Sequence, residues 1–251
     1  TIETMSVEKR IRHTPIKQKI NDQIIPFKGI YKSEVYDSVD PYPASWYTLN
    51  LGAGVNKKND HTLFVTVHLT PVRYAPNAHS LSYSTDFTIE ISYKEALPAQ
   101  TASDRYSLVI IAPAAFSEPL QPLVEHKNTA GLSTLLVPLE EIYGAYYGRD
   151  EAEQIKYFVH HAVEQWDTQY ILLVGDVRKL PIRVTYASWW EPDLLSDLYY
   201  ADIYDATGAF CSWDSNENDR FGEIDHDGNG LDGVDLYADV HLGRLACADV
   251  T

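Results

Sequence analysis

The sequence predicts two domains of different class, an all-β antiparallel domain over residues 1–104 and an α/β domain over 105–251. Three observations predict it. Before about residue 100, apolar and polar residues alternate in short runs, the two-residue period of a half-buried strand. After it come continuous apolar runs, as strands covered on both faces require, and a long segment of helical period. Between the two lies Leu97-Pro-Ala-Gln-Thr-Ala-Ser103, small and polar around one proline, which reads as a linker.

In the first domain, His61-Thr-Leu-Phe-Val-Thr-Val-His-Leu69 places Leu63, Val65, Val67 and Leu69 on one face. Thr85 to Tyr93 repeats the pattern with Phe87, Ile89, Ile91 and Tyr93, and Trp46 to Leu51 is a third candidate strand. Pro71, Pro76 and Asn77 punctuate these runs, so a sandwich or meander is expected. In the second domain, strands are expected near 107–112, 132–137, 170–174 and 237–243. Ser117 can cap a helix that runs to about Thr129 and stops at Gly131. Asp150 opens a longer helix, in which Ile155, Phe158, Val159, Ala162 and Trp166 recur at i, i+3/i+4 spacing. Strand alternating with helix predicts a parallel sheet with right-handed crossovers.

Composition narrows the function. Hydrophobic residues at 45% and charged residues at 22% are globular values, so disorder is excluded. Aromatics reach 12%, with 18 Tyr and 5 Trp, which suits strands. Twenty basic residues against 36 acidic ones leave a net charge of −16, which repels phosphate backbones and argues against a nucleic-acid partner. No apolar run approaches the roughly 20 residues of a membrane-spanning helix. The chain begins at Thr1 without a signal-peptide pattern, as either a processed secreted chain or a trimmed one would. Two cysteines, Cys211 and Cys247, form no disulfide framework.

The acidity is concentrated. Asp225, Asp227 and Asn229 place short oxygen side chains at positions 1, 3 and 5 of a loop with Gly230 at 6, the front half of a calcium loop. Position 12 is Leu236 rather than Glu, so Asp232 or Asp235 has to close the shell. Upstream, Asp214, Asn216 and Asn218 repeat the ladder, with Glu223 as closing ligand. Hard oxygen donors point to Ca²⁺ rather than zinc. The competing reading is a solvated acidic turn, since Asp, Asn and Gly favour turns in any case.

Other motifs weigh less. Gly228-Asn-Gly230-Leu-Asp-Gly233 has dinucleotide-loop spacing but lies among carboxylates that would repel a pyrophosphate. His160 and His161 are helix neighbours and do not share a face. Neither cysteine has a histidine partner suggested by the sequence, and buried inert thiols are expected. No catalytic residue is assigned within the chain.

As an ordered set, Leu172-Leu-Val-Gly-Asp176, Leu180-Pro-Ile182, Ser196-Asp-Leu-Tyr-Tyr-Ala-Asp-Ile203 and Asp235 to Cys247 resemble the gingipain-type cysteine peptidases. Ser107-Leu-Val-Ile-Ile-Ala-Pro113 and Leu120 to Gly131 resemble that family's opening strand and first helix, and Pro71-Val-Arg-Tyr-Ala-Pro76 its β-rich pro-region. The resemblance implies a caspase-like α/β fold, here its first half, preceded by a pro-region-like domain. It implies proteolysis of protein or peptide substrates, an extracellular or cell-surface location, and a catalytic His and Cys beyond residue 251 or on a second chain. The alternative is a non-catalytic, calcium-stabilised surface or binding module that reuses the fold.

Overall fold

The computed structural model describes residues 2–6, 17–20, 23–26, 36, 38–93, 105–186, 193–224 and 230–249. The linker at 97–103 and the ladder residues Asp225, Asp227 and Asn229 lie outside them. The described chain divides into two compact units.

The first unit comprises 1–50 and 66–97 and is antiparallel β. Strand β1 (Ile2–Ser6) pairs with β7 (Ser80–Ser84), which pairs with β6 (Val72–Ala75). The β6–β7 turn begins at Pro76, whose carbonyl accepts the His79 N–H at 3.3 Å, as the punctuation by Pro76 and Asn77 predicts. Strands β2 (Lys17–Ile20) and β3 (Gln23–Pro26) form a separate hairpin. The run 85–93 differs from expectation. It forms no strand, and Ile89, Ile91 and Tyr93 stand exposed. Alternation supplies a face, but a strand also needs a neighbour to take its backbone hydrogen bonds.

Strands β4 (Tyr47–Val55) and β5 (His61–Leu69) form a hairpin whose turn end, Leu51–Val65, belongs to the second unit. A hairpin tip from the β-rich half thus groups with the α/β half. The cause is specific bonding. Val55 N–H donates to the Ala238 carbonyl at 3.0 Å, and Ala53 N–H donates to the Asp235 carboxylate at 2.7 Å.

The rest of the second unit is an α/β layer built on four parallel strands, β8 (Leu108–Ala112), β9 (Thr134–Pro138), β10 (Tyr170–Val174) and β13 (His241–Leu245), in the order β13-β10-β8-β9. Every residue of β8 is buried, as its unbroken apolar run predicts. A short antiparallel pair, β11 (Arg183–Thr185) and β12 (Leu194–Ser196), lies between β10 and β13 in the chain. Helix α1 (Ser117–Thr129) stops before Gly131, whose φ of 86° only glycine adopts freely. Ser117 is its first helical residue rather than its cap, because a 3-10 turn at Ala114–Phe116 leads directly into it. Helix α2 (Leu139–Ala145) was not legible as a separate element. Helix α3 (Glu151–Trp166) begins as expected, with the Asp150 carboxylate accepting the Glu153 N–H at 2.8 Å.

The last strand starts at His241 rather than 237. Residues before it are committed elsewhere, the Ala238 carbonyl to Val55 and the Asp239 N–H to Ala201. Apolar side chains fill both faces of the sheet. Ile155, Phe158, Val159 and Ala162 of α3 cover Val109, Ile111, Ile171 and Leu173. Leu120, Leu123 and Val124 of α1 cover Leu108, Ile110 and Ala112.

Candidate functional site

Two regions of the α/β unit carry chemistry, the strand carboxyl ends and the acidic segment after Cys211. In parallel sheets, ligands bind beyond the carboxyl ends of the strands. Here β10 is followed by Gly175, with φ of 137°, and Asp176. Their N–H groups donate to the carbonyls of Leu245 and Cys247, so the sheet ladder continues past both strand ends. Arg244 of β13 holds the frame. Its guanidinium pairs in bidentate fashion with Asp197 at 2.6 and 2.7 Å and donates to the Gly175, Leu180 and Pro181 carbonyls at 2.9–3.1 Å. A planar fork with five donors satisfies four residues at once.

The acidic segment is ordered by its own hydrogen bonds. Asp214, fully buried, accepts from Arg149 Nη1 at 2.5 Å and from the Asn218 and Asp219 N–H groups. Burial works to raise its pKa, but Arg149 and the two N–H donors hold the carboxyl below the usual range. Asn216 and Asn218 both donate their amide N–H to Glu223 Oε2, at 3.3 and 2.7 Å, and Arg220 pairs with Glu223 at 2.9 Å. The first ladder is thus gathered in one loop, with two arginines balancing its charge. Asp232, buried, turns back to it and accepts from Ser215 and the Glu223 N–H. Asp235 bonds elsewhere, to the Ala53 and Tyr237 N–H groups, and burial raises its carboxyl pKa. Among the described residues, no three His, Cys, Asp or Glu side chains converge at metal-holding distance.

Sequence reasoning missed a buried charged cluster beneath this segment. Lys156, on the inner face of α3, is fully buried and donates through Nζ to the Tyr199 and Asp202 carbonyls at 2.7 and 2.5 Å. Its ammonium also lies 4.6 Å from the Tyr199 ring centroid and 5.6 Å from that of Trp213. Burial lowers the Lys156 pKa and raises that of Asp202. Asp239 accepts from the Ile203 and Tyr204 N–H groups through Oδ2, at 2.6 and 2.9 Å, while its buried Oδ1 has no hydrogen-bond partner. Burial pushes its carboxyl up to about 6. A signal existed: Ala152, Lys156 and Val159 are spaced as one helix face, and a lysine in that stripe has to find partners indoors.

The two thiols sit in different surroundings. Cys211 is buried, donates weakly to the Asp232 carbonyl at 3.5 Å, and burial pushes its pKa to about 11. Cys247 packs against the α1 side of the sheet. Among the described residues, neither meets a histidine in a hydrogen bond. His160 faces Tyr204 and Phe210 and His161 faces Tyr146 and Trp166, so the two rings serve different contacts.

A parallel sheet packed between helices, its strand ends cross-tied by a Gly-Asp turn and a Gly-Arg strand, defines an α/β layered unit. Comparison with known proteins then gives the family. Residues 101–251 match the model of peptidase family C25, and the chain belongs to that family of cysteine peptidases. It is 31% identical over 142 residues to Gingipain R2 of Porphyromonas gingivalis (strain ATCC BAA-308 / W83), a match covering 56% of this chain and 14% of that protein. Among solved structures, it resembles the complex of Porphyromonas gingivalis RgpB pro- and mature domains (26% identity, TM-score 0.38, 57% of this chain and 25% of that one). It also resembles the Arg-specific cysteine proteinase gingipain R (22% identity, TM-score 0.38, 62% and 27%). The chain therefore spans about a quarter or less of the relatives it matches. No helix among the described residues is long and apolar enough to cross a membrane.

Proposed function

We propose that this chain is the N-terminal portion of a secreted gingipain-like cysteine endopeptidase that cleaves protein or peptide substrates, its catalytic His and Cys supplied by residues outside these 251. The family match over 101–251 carries this reading. The state of Cys211 supports it, because a nucleophilic cysteine needs a base within hydrogen-bond reach and a depressed pKa, and burial raises the Cys211 pKa to about 11. The frame held by Arg244 gives substrate and incoming catalytic groups a fixed edge at the strand ends. The test is casein cleavage by the full encoded protein and by the 251-residue chain. Iodoacetamide-sensitive cleavage by the former alone, unaffected by Cys211→Ser, supports the proposal. An inactive full-length protein favours the alternative, a non-catalytic surface module.

We also propose that Ca²⁺ binds the segment 214–235, seated by Asp225, Asp227 and Asn229, with Asp232 or Asp235 completing the shell. The support is the alternating oxygen spacing and the glycine at position six. The first ladder, Asp214, Asn216, Asn218 and Glu223, already has Arg149 and Arg220 as counter-charges, and supplies the flank rather than the cation's main ligands. A melting temperature that rises with calcium more than with magnesium, and not in Asp227→Ala, is the expected result. Superimposable melts in chelator and calcium would sink it.

A further inference from the structure

A cavity of about 460 Å³ opens in the α/β unit between the hairpin tip, the C-terminal end of α3 and the turn at Tyr204. Three carboxylates line it, those of Glu164, Asp167 and Asp239, and among the described residues no lysine or arginine lines it. The last turn of α3 also ends there, and a helix C-terminus carries partial negative charge. Two of the carboxylates are partly solvated. Glu164 accepts from the Tyr204 hydroxyl, and Asp167 makes a rim pair with Arg105 at 3.4 Å in which both side chains are 58% exposed. The third is different. Asp239 has no exposed side-chain surface and its Oδ1 no hydrogen-bond partner; His61 Nδ1 lies 3.7 Å from it, and the buried Lys156 ammonium acts on it electrostatically but makes its hydrogen bonds to the Tyr199 and Asp202 carbonyls instead. Burial lowers the His61 pKa, so the ring is neutral at pH 7 and does not balance that charge.

We propose that this cavity binds a primary ammonium group on an aliphatic stem, its head between Asp239 and Glu164 and its stem along Val163 and Leu63. A divalent metal suits the site poorly, because no three ligating side chains among the described residues converge there. A guanidinium suits it less well too, since that planar fork wants paired acceptors from one carboxylate, whereas Glu164 and Asp239 come from separate segments. An ammonium is a compact charge with three donors free to rotate. The volume lies near the lower end for small-molecule sites, roughly 300–1,000 Å³. The same chemistry comes from a free alkyl diamine or from a lysine side chain of a polypeptide.

Isothermal titration of the 251-residue chain tests it, with cadaverine, a capped Ala-Lys-Ala tripeptide and, as uncharged control, 1-pentanol. Saturable binding of cadaverine identifies a small-molecule site; binding of the tripeptide alone identifies a polypeptide lysine. Asp239→Asn should weaken either by about tenfold, the size of one charge-assisted hydrogen bond. Glu164→Gln, on the more exposed wall, should weaken it several-fold and keeps the test decisive if Asp239→Asn fails to fold. Glu118→Gln, on α1, should change nothing. No saturable binding of either cation, equal binding of 1-pentanol, or unchanged affinity in every folded cavity variant overturns the proposal.

Discussion

At the residue scale, the side chains that organise this chain are buried charges. Arg244 is 10% exposed and serves four carbonyl or carboxylate partners, so removing it orphans Asp197 and three carbonyls at once. Arg244→Ala should cost about 3 kcal/mol, as broken buried pairs do, and Arg244→Lys should recover little because a point charge cannot span the fork. Urea denaturation of the three proteins checks this. Asp239 gives a prediction with a definite pH sign. Its folded pKa, about 6, lies above its ordinary 3.8, so the folded state holds the proton more tightly. Stability from this group is fully present below pH 4 and lost as pH rises through 6. His61 and His160, whose pKa values are lowered by burial, give the opposite slope below 6.5. The difference between wild type and Asp239→Asn isolates the carboxylate: the variant's urea midpoint should gain on wild type steadily from pH 4 to 7. A flat difference would show that Asp239 has the same pKa folded and unfolded, so that burial does not shift it. Little of this was legible in the sequence: Lys156 falls in the apolar stripe of α3, but Asp202 and Asp239 look like any surface charges. Burial is decided by what packs over a residue, and here that is Tyr199, Trp213 and the hairpin tip.

At the element scale, the legible parts were those whose local and tertiary signals agree. The helix opened by Asp150 and the strands at 108–112 and 170–174 fall where expected, because apolar period and capping chemistry point the same way. The run at 85–93 failed because alternation says which face is apolar, not whether a neighbouring strand exists. Asp150 makes two contributions, capping α3 and pairing with Arg183 at 2.7 and 2.8 Å. Asp150→Ala should therefore cost more than the about 1 kcal/mol of an ordinary cap, with Asp150→Asn retaining the cap and losing only the ion pair. Thermal melts of both variants separate the two roles. Gly52 in β4 is set by approach distance rather than by backbone conformation. A Cβ there would lie 2.2 Å from the Tyr237 ring. Gly52→Val should destabilise by about 1–3 kcal/mol, the cost of overpacking, whereas Gly144→Val in α2, where nothing lies within 4 Å, should show only the helix-propensity change.

At the scale of the molecule, the sequence suggests a division at the proline-bearing linker, and the hairpin tip Leu51–Val65 groups with the α/β half. The composition change near residue 100 is real, but it records strand type, not which residues pack together. The hairpin tip is held to the α/β unit by the two backbone donations to Ala238 and Asp235, by Asn59 bonding Tyr170 and His241 at 2.8 Å each, and by Phe64 stacked on Tyr237 at 5.0 Å. These contacts all fall on the segment 235–241 and the start of β10, where β13 would otherwise enter the sheet with its approach uncovered. A fragment of residues 105–251 should therefore be less stable than the whole chain. Each lost hydrogen bond is worth on the order of 1 kcal/mol, and each kcal/mol lowers the melting temperature by about 2–4 °C in a domain of this size. Adding a peptide of residues 50–66 in trans should restore part of the loss in a saturable way, and a Gly52→Val version of that peptide should not. Superimposable melts of fragment and whole chain would show that the hairpin only rests on the domain and that the division at the linker was the physical one.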